Sequence, residues 1–419
     1  MCLLNKDGWL ISKLGSASVL AILVFATGLY FFPPGYPQPG HVLLLALAIP
    51  YLLSLRSVPL DLPEKLLISF LVYGMGVNGV YYIIEGDSGF LKASVFWIYN
   101  VLIFLSLRFL FLRNPSVSKA LPYAFAAMAL VLYAMAFFWE SESFRSNGRF
   151  VGGFNDPNQS GYWLLCVFVG SMLIATKPRW LTAPKALLLF VAVAVLVVLT
   201  GSRSAILGFS VLLLANIGWL LAGLGQGAES RLKLRTFFLF IAILVVAASL
   251  VGWYLYVEQA EFRRAVDLLM RRLLQEDYFK QLDIRGYTHI WNFPQYLLFG
   301  AGHADVGRFS RWNVEIHSSI VAPLFYYGII GFGLLFSFFY LLVKDRLRGW
   351  EFVAFSAPFV FGLSTYGLRN PIFWVMLAVV YTHPLRPVAR AKLDEQRDAV
   401  GSPSAGNQSS GQTDDGSRK

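Results

Sequence analysis

The chain has 419 residues, of which 57% are hydrophobic and 14% are charged, and its formal net charge is +11. Soluble globular proteins carry about 25% charged residues, so this composition excludes an ordinary soluble domain and favours a chain solvated mainly by lipid. The positive charge does not indicate a nucleic-acid partner, because cytoplasmic loops of membrane proteins are basic for topological reasons and attract anionic lipids. The two cysteines, Cys2 and Cys166, indicate neither a disulfide framework nor a metal site.

Apolar runs recur along almost the whole chain, and a membrane-spanning helix needs about 20 mostly apolar residues. Some of the runs carry an amide, at Asn78, Asn100 or Asn216, but no carboxylate. The sequence therefore predicts an all-α polytopic membrane protein with about 12 transmembrane helices. The predicted spans are residues 16–33, 41–55, 66–84, 93–112, 120–139, 158–176, 185–201, 203–222, 236–256, 317–343, 350–367 and 370–384.

Most Lys and Arg residues fall in one alternating set of loops, together with the two ends of the chain. Basic loops stay in the cytoplasm, so both termini are expected there. We expect a transmembrane domain over residues 1–393 and a disordered cytoplasmic tail over residues 394–419, which is rich in Gly, Ser, Gln and Asp. Several arginines break the rule, because they lie in the outer loops, where His317 also falls. They are Arg149, Arg203, Arg285, Arg308 and Arg311.

The longest outer loop runs from about residue 257 to residue 316. It begins with apolar residues at helical spacing flanked by arginines, which predicts an amphipathic helix on the membrane surface or on the outer face of the protein. A long loop with secondary structure of its own is usually functional. The apolar stripe is Phe262, Val266, Leu269 and Leu273, and the arginines are Arg263, Arg264, Arg271 and Arg272.

The segment from Arg149 to Asn158 leads directly into the sixth predicted span. Asp156 is a favourable N-cap and Pro157 a favourable first helical residue. The free N–H groups of the helix start favour an anion, and Arg149 adds a full positive charge. A capped loop whose arginine contacts lipid headgroups would give the same pattern, and the residues alone leave both interpretations open.

A polar break, Thr200-Gly201-Ser202-Arg203-Ser204, separates the seventh and eighth runs. A simple hairpin turn is one interpretation, but Gly-Ser already suffices for a turn and no arginine is needed. An arginine at the centre of a helix would cost roughly 2.5–3.5 kcal/mol. We therefore place Arg203 at the outer turn and favour a functional role for it.

The end of the long loop carries Arg285, Arg308, Arg311, Glu315 and His317. A histidine at this position can act as a general base near neutral pH, and Glu315 is close enough in sequence to orient it. An interfacial histidine with a satisfied hydrogen bond is the alternative. His289 and His303 share the loop and are rival bases, while the glycines of the tenth span, Gly328, Gly331 and Gly333, indicate close helix packing.

The location of these groups constrains the chemistry. No ATP or nucleotide sugar is present outside the membrane, so a reaction there needs a donor that carries its own leaving group, such as a lipid-linked pyrophosphate. Arginines would stabilise the departing diphosphate through charge-assisted hydrogen bonds. No outer cluster of carboxylates has metal-ligand character, so we expect neither a metal nor another cofactor.

Short segments of the chain follow the order and spacing of a known family. They are Arg149…Gly153…Asp156-Pro157-Asn158, Gly201-Ser202-Arg203, Arg285…Trp291…Gly300-Ala301-Gly302, and His317-Ser318 followed by Tyr327-Gly328-Ile329-Ile330-Gly331. Over about residues 145–335 the chain resembles the O-antigen ligase and O-antigen polymerase superfamily. These are bacterial inner-membrane glycosyltransferases that use undecaprenyl-pyrophosphate-linked glycans.

The resemblance implies a GT-C-like helical membrane fold and an inverting, metal-independent transfer at the periplasmic face. It implies that Arg149 and Arg203 bind the pyrophosphate and that His317 is the catalytic base. Ser318 stands where the family often has Asn, and His303 follows Gly302 and could compete for the base role. The further substrate-binding residues that we expect are Arg285, Asn158, Glu315, Arg308, Arg311 and His303.

The family divides into ligases, whose acceptor is lipid A core or protein, and polymerases, which extend a glycan by repeat units. The donor chemistry is shared, so the residues do not separate lipopolysaccharide ligation from exopolysaccharide polymerisation, and we favour polymerisation slightly. A polysaccharide or lipid transporter, or flippase, is the rival from another class. Coupled transporters usually carry ionisable groups at mid-membrane, whereas the charges here concentrate at the outer rim.

Overall fold

A computed structural model of the protein describes residues 13–32, 36–54, 59–115, 117–139, 149–175, 183–224, 250, 252–254, 256–274, 282–304, 306–309 and 315–383. Within these residues the chain is mostly helical and has no β-strand, which confirms the all-α prediction. The principal helices are α1 (Lys13–Ala26), α2 (Pro39–Leu45), α3 (Ala48–Leu53), α4 (Leu62–Glu85), α5 (Gly89–Arg113), α6 (Leu121–Phe138), α7 (Pro157–Ala175), α8 (Ala183–Leu199), α9 (Arg203–Leu224), α10 (Ala260–Leu273), α11 (His289–Asn292), α12 (Val321–Val343), α13 (Gly349–Gly362) and α14 (Pro371–Tyr381).

Four helical segments of the described residues are long and apolar enough to cross a membrane: α4, α5, α6 with the turn before it, and α12. Shorter apolar helices accompany them at Leu189–Leu199, Arg203–Trp219 and Pro371–Tyr381. These helices indicate a membrane protein. The count of twelve spans stays a prediction, and the predicted ninth span lies mostly outside the described residues.

The second predicted span, residues 41–55, is not one continuous helix. It is divided into α2 and α3 by a turn at Ala46 and Leu47. The break has a physical cause, because Pro50 has no N–H to donate to the carbonyl of Ala46. Apolar composition alone gave no sign of this interruption.

Helix α14 lies at the centre of the fold, where it packs against α5 on one side and α7 on another. Each of its residues is buried, including the large side chains of Phe373 and Trp374. A helix that is apolar on all faces is expected in the interior. Around it, α4 packs along α5 and α12, and α9 packs along α13.

Helix α12 is kinked at Gly328, whose φ of 63° and ψ of −176° are not helical. The kink lets the segment before His303 run along the start of α12, with Ala301 N donating to Phe325 O at 3.0 Å and Gly302 N to Tyr326 O at 3.0 Å. A Cβ on Gly328 would meet the backbone of Leu298. The glycine pattern therefore fixes a close backbone contact that positions the end of the long loop.

The prediction of close packing at the three glycines of the tenth span is confirmed in part. Gly328 contacts the loop backbone, and a Cβ on Gly331 would lie 3.2 Å from the ring of Tyr73 on α4. At Gly333 the prediction is wrong, because no atom of the described residues, apart from the backbone of the helix itself, lies within 4 Å of the place where its Cβ would stand.

The long loop contains α10 where the sequence predicts an amphipathic helix. Phe262 of the apolar stripe packs against the core, while Arg263, Arg264 and Arg271 are exposed. Arg263 Nε donates to Tyr256 O at 2.7 Å. These arginines belong to a protein surface, and none of them lines the cavity described next.

Candidate functional site

A cavity of about 970 Å³ lies where four helices begin. Gly89 of α5, Asn158 of α7, Arg203 of α9 and Pro371 of α14, each at or next to the first residue of its helix, line its wall. The positive end of each helix dipole lies at its first turn. Four helix starts around one cavity therefore favour a bound anion.

The charged side chains that line the cavity strengthen this preference. The carboxylates are Asp156 and Glu315, and the cations outnumber them. A surplus of positive charge in a concave, partly enclosed site attracts an anionic ligand. The cationic side chains are Lys92, Arg149, Arg203, Arg285 and Arg369.

The first two sequence motifs form a single wall of the cavity. Arg149 is buried, its Nε donates to Thr200 O at 3.0 Å, and its Nη2 donates to Asn158 Oδ1 at 3.3 Å. Ser202 Oγ donates to the same Asn158 oxygen at 2.8 Å. Gly201, with a φ of 56°, turns the chain beneath the aliphatic part of Arg149. Segments about 50 residues apart in sequence are thus bonded into one surface.

The first residues of α7 and α9 are where the sequence predicted them. Asn158 N donates to Asp156 Oδ1 at 2.7 Å, and α7 begins at Pro157, as predicted. Arg203 is the first residue of α9 and lines the cavity with a half-buried side chain. The arginine is therefore at a helix end rather than inside a span, which agrees with its high cost in lipid.

The third motif supplies His317 and Arg285 to the same cavity. His317 N donates to Arg285 O at 3.1 Å, and the Arg285 guanidinium donates to Ser364 O. Burial lowers the pKa of His317, nearby Glu315 raises it, and Arg285 lowers it further; the net direction is downward. The imidazole is therefore neutral at neutral pH and able to accept a proton.

Glu315 is held between His303 and Arg369. His303 Nε2 lies 2.6 Å from Glu315 Oε1, and Arg369 donates to the other carboxylate oxygen. Burial opposes ionisation of Glu315, but Arg369 and His303 outweigh it and lower its pKa to about 2. An ionised Glu315 makes His303 the donor, so the His303 Nε2–H is committed to this contact. The His303 ring also stacks on Tyr326 at 4.4 Å.

The structure distinguishes the three histidines proposed as the base. His289 does not line the cavity; its ring lies among Phe293, Phe309 and Phe325, and burial lowers its pKa. His303 and His317 both line the cavity. His303 is engaged by Glu315, whereas no described residue hydrogen-bonds to the His317 ring. His317 has the more accessible nitrogen.

Arg308 lies apart from the other sequence-predicted site residues, because it does not line the cavity. Its guanidinium forms an ion pair with Glu85 at 2.5 Å, donates to Ala301 O at 2.8 Å and lies 4.8 Å from the centre of the Phe90 ring. Arg308 thus ties the loop to α4 and α5. Arg311 lies outside the described residues.

Lys92 and Arg369 belong to the cavity but to none of the motifs that the sequence analysis singled out. Arg369 precedes Asn370, whose side chain caps α14 by accepting from Ile372 N at 3.1 Å. Both cations lie in predicted outer segments, so the topology rule contained a signal for them. Among the described residues, no group of His, Cys, Asp or Glu is arranged to hold a metal ion.

No protein-family model matches the chain, and no curated protein sequence matches it. The resemblance to the O-antigen ligase and polymerase superfamily therefore depends on the short sequence segments alone.

Proposed function

We propose that the protein is an inverting glycosyltransferase that transfers or polymerises undecaprenyl-pyrophosphate-linked glycan at the periplasmic face of the bacterial inner membrane. The observation that carries the proposal is the meeting of four arginine side chains, four helix starts and an accessible neutral histidine at one cavity. Arg149, Arg203 and Arg285 would bind the diphosphate, and Arg369 joins them as a residue that the motifs did not contain.

In the proposed reaction, the acceptor hydroxyl oxygen attacks the anomeric carbon of the donor sugar. A new C–O bond forms there while the bond from that carbon to the diphosphate oxygen breaks. The hydroxyl proton moves to the neutral His317 ring, and the bonding electron pair leaves with the polyprenyl diphosphate. The arginines and helix starts stabilise the negative charge that grows on the leaving group. Attack opposite the departing diphosphate inverts the anomeric centre.

Glu315 would act through His317 rather than on the substrate. Its negative charge raises the pKa of His317 against the effects of burial and of the neighbouring arginines. Arg369 and His303 keep Glu315 ionised and hold it in place. The basicity of His317 is thereby kept close to the range in which a general base works at neutral pH.

The test measures transfer directly. The protein, reconstituted in lipid nanodiscs, is given polyprenyl-diphosphate-linked glycan, and released polyprenyl diphosphate and glycan length are measured. Arg203→Ala and His317→Gln are each expected to lower the rate on the order of 100-fold. Arg264→Ala, which changes an exposed arginine of α10 outside the cavity, is the matched control.

The products separate the possible activities. Growth of the glycan by repeat units indicates a polymerase, and movement of a finished glycan to lipid A core indicates a ligase. If both cavity variants release polyprenyl diphosphate as fast as the Arg264→Ala control, the transferase proposal fails. Movement of intact lipid-linked glycan across the bilayer without its cleavage would instead identify a flippase.

A further inference from the structure

One wall of the cavity carries none of the arginines that are proposed to bind the diphosphate. It is formed by one face of α5, where Gly89, Lys92, Ala93, Phe96 and Tyr99 line the cavity at helical spacing. The arginines and His317 come from other segments of the chain. Tyr30 and His41, which lie around the connection between α1 and α2, complete this wall. We call Tyr30, His41, Lys92, Phe96 and Tyr99 the aromatic wall.

The rings of the aromatic wall are fixed against one another. The His41 ring meets the Tyr30 ring edge-on at 5.4 Å, and Tyr99 Oη donates to the His41 backbone oxygen at 2.9 Å. Tyr30 N donates to Gly153 O at 2.7 Å, which ties the wall to the segment that carries Arg149. A preformed apolar surface with few polar groups is typical of a small-molecule site.

Two polar groups of the wall lack partners among the described residues. His41 Nε2 is buried and has no hydrogen-bond partner, although His41 lines the cavity. A buried polar group without a partner is unfavourable, so a hydrogen bond from a ligand would stabilise it. Lys92 is exposed and makes no ion pair with a described carboxylate. A cation in the first turn of a helix is also opposed by the helix dipole, and a bound anion would offset that repulsion.

We propose that the aromatic wall is a subsite for an acidic saccharide, a sugar that carries a carboxylate. The rings pack against the apolar faces of the sugar, His41 Nε2 hydrogen-bonds to a hydroxyl, and the Lys92 ammonium pairs with the carboxylate. The subsite proposal rests on the proposed function, because it names the class of glycan that the proposed glycosyltransferase would bind in this cavity. The carboxylate is the acidic group of a saccharide that carries the single negative charge needed to pair with the one ammonium of this wall.

The experiment measures binding and needs no transfer. Full-length protein in nanodiscs of zwitterionic phosphatidylcholine is titrated calorimetrically with tetragalacturonate and, separately, with the neutral maltotetraose. Tetragalacturonate is expected to bind more tightly, and Lys92→Gln is expected to weaken its binding about tenfold while leaving maltotetraose unchanged. His41→Phe keeps the ring packing, removes Nε2, and is expected to weaken both ligands.

Lys65→Gln is the matched control, because Lys65 is an exposed lysine at the same fourth position of α4 and does not line the cavity. Equal binding of the two saccharides, or equal effects of Lys92→Gln and Lys65→Gln, would overturn the proposal. An effect of Lys92→Gln that appears only in nanodiscs with anionic lipid would assign Lys92 to headgroups and overturn it too. If transfer depends on Arg203 but the binding results do not appear, the acidic-saccharide subsite is wrong and the proposed glycosyltransferase function still holds.

Discussion

Arginines gather at both ends of α5 and α14, and the two groups differ in charge balance. At the end opposite the cavity, Arg108 pairs with the fully buried Glu64 and lies 3.9 Å from Asp61. Tyr381 accepts from Arg108 at 3.1 Å and donates to Asp61, and Arg346 Nε donates to its backbone oxygen at 2.9 Å. We call these five residues the closed cluster.

The closed cluster balances two arginines with two carboxylates, whereas five cations and two carboxylates line the cavity. Buried ion pairs that satisfy one another hold helices together, and truncating one partner is costly. A surplus of one charge around an open space instead needs an ion from outside. The unbalanced charge, rather than the burial of an arginine, therefore marks the candidate ligand site.

The largest loss of stability is expected from a substitution in the closed cluster. Arg108→Ala leaves the buried Glu64 without its cation, so the free energy of unfolding is expected to fall by about 3–5 kcal/mol. Titration with SDS in mixed micelles measures this loss. Arg113→Ala, at the exposed end of the same helix, is the control. Normal stability of Arg108→Ala with reduced transfer per folded molecule would contradict the assignment of the closed cluster to structure.

In the cavity, loss of a cation is expected to weaken anion binding and to leave the stability of the protein almost unchanged. Arg203→Ala removes one surplus cation, so the affinity for inorganic pyrophosphate is expected to fall about 10–100-fold, as for the loss of a charge-assisted hydrogen bond. The melting temperature is expected to stay within a few degrees of the original. Calorimetry at two ionic strengths measures both the binding and its weakening by salt. If Arg203→Ala binds pyrophosphate as tightly as the original protein, Arg203 does not belong to the anion site.

Glu315→Gln is expected to have a smaller effect, which is a change in how the transfer rate depends on pH. Glu315 raises the pKa of His317, so its loss lowers that pKa further. A base must be neutral to act; activity is lost as the pH falls through the pKa of His317. The acid limb of the rate profile is therefore expected to move to lower pH, with a plateau about tenfold lower because the base is weaker.

The matched control for that profile is Asp283→Asn. Asp283 is a loop carboxylate that raises the pKa of His289, a histidine outside the cavity. Its loss is expected to leave the acid limb where it was. A shift of the limb to higher pH in Glu315→Gln, or an equal shift in Asp283→Asn, would show that Glu315 does not set the basicity of His317.

The sequence predicted the parts of the site that obey local rules. The start of α7 at Pro157 and the position of Arg203 at a helix end follow from capping and from the cost of charge in lipid. It did not predict that Arg308 pairs with Glu85, because their side chains meet only through the loop that packs on α4. Lys92 and Arg369 were missed for a related reason, since no local pattern separates a cavity cation from an interfacial one.

The smallest change in stability is expected when both partners of the buried Arg108–Glu64 pair are replaced. Glu64→Leu with Arg108→Met leaves no buried charge without a partner, and such replacements are often neutral or stabilising. We expect the free energy of unfolding to lie within about 1.5 kcal/mol of the original, by the same SDS titration. Pairing Arg203→Met with Glu315→Leu in the cavity is expected to restore no activity, because in the proposed mechanism Arg203 acts on the diphosphate and Glu315 on His317, so neither loss compensates for the other. If the closed-cluster double variant is as unstable as Arg108→Ala, the cluster does more than balance charge.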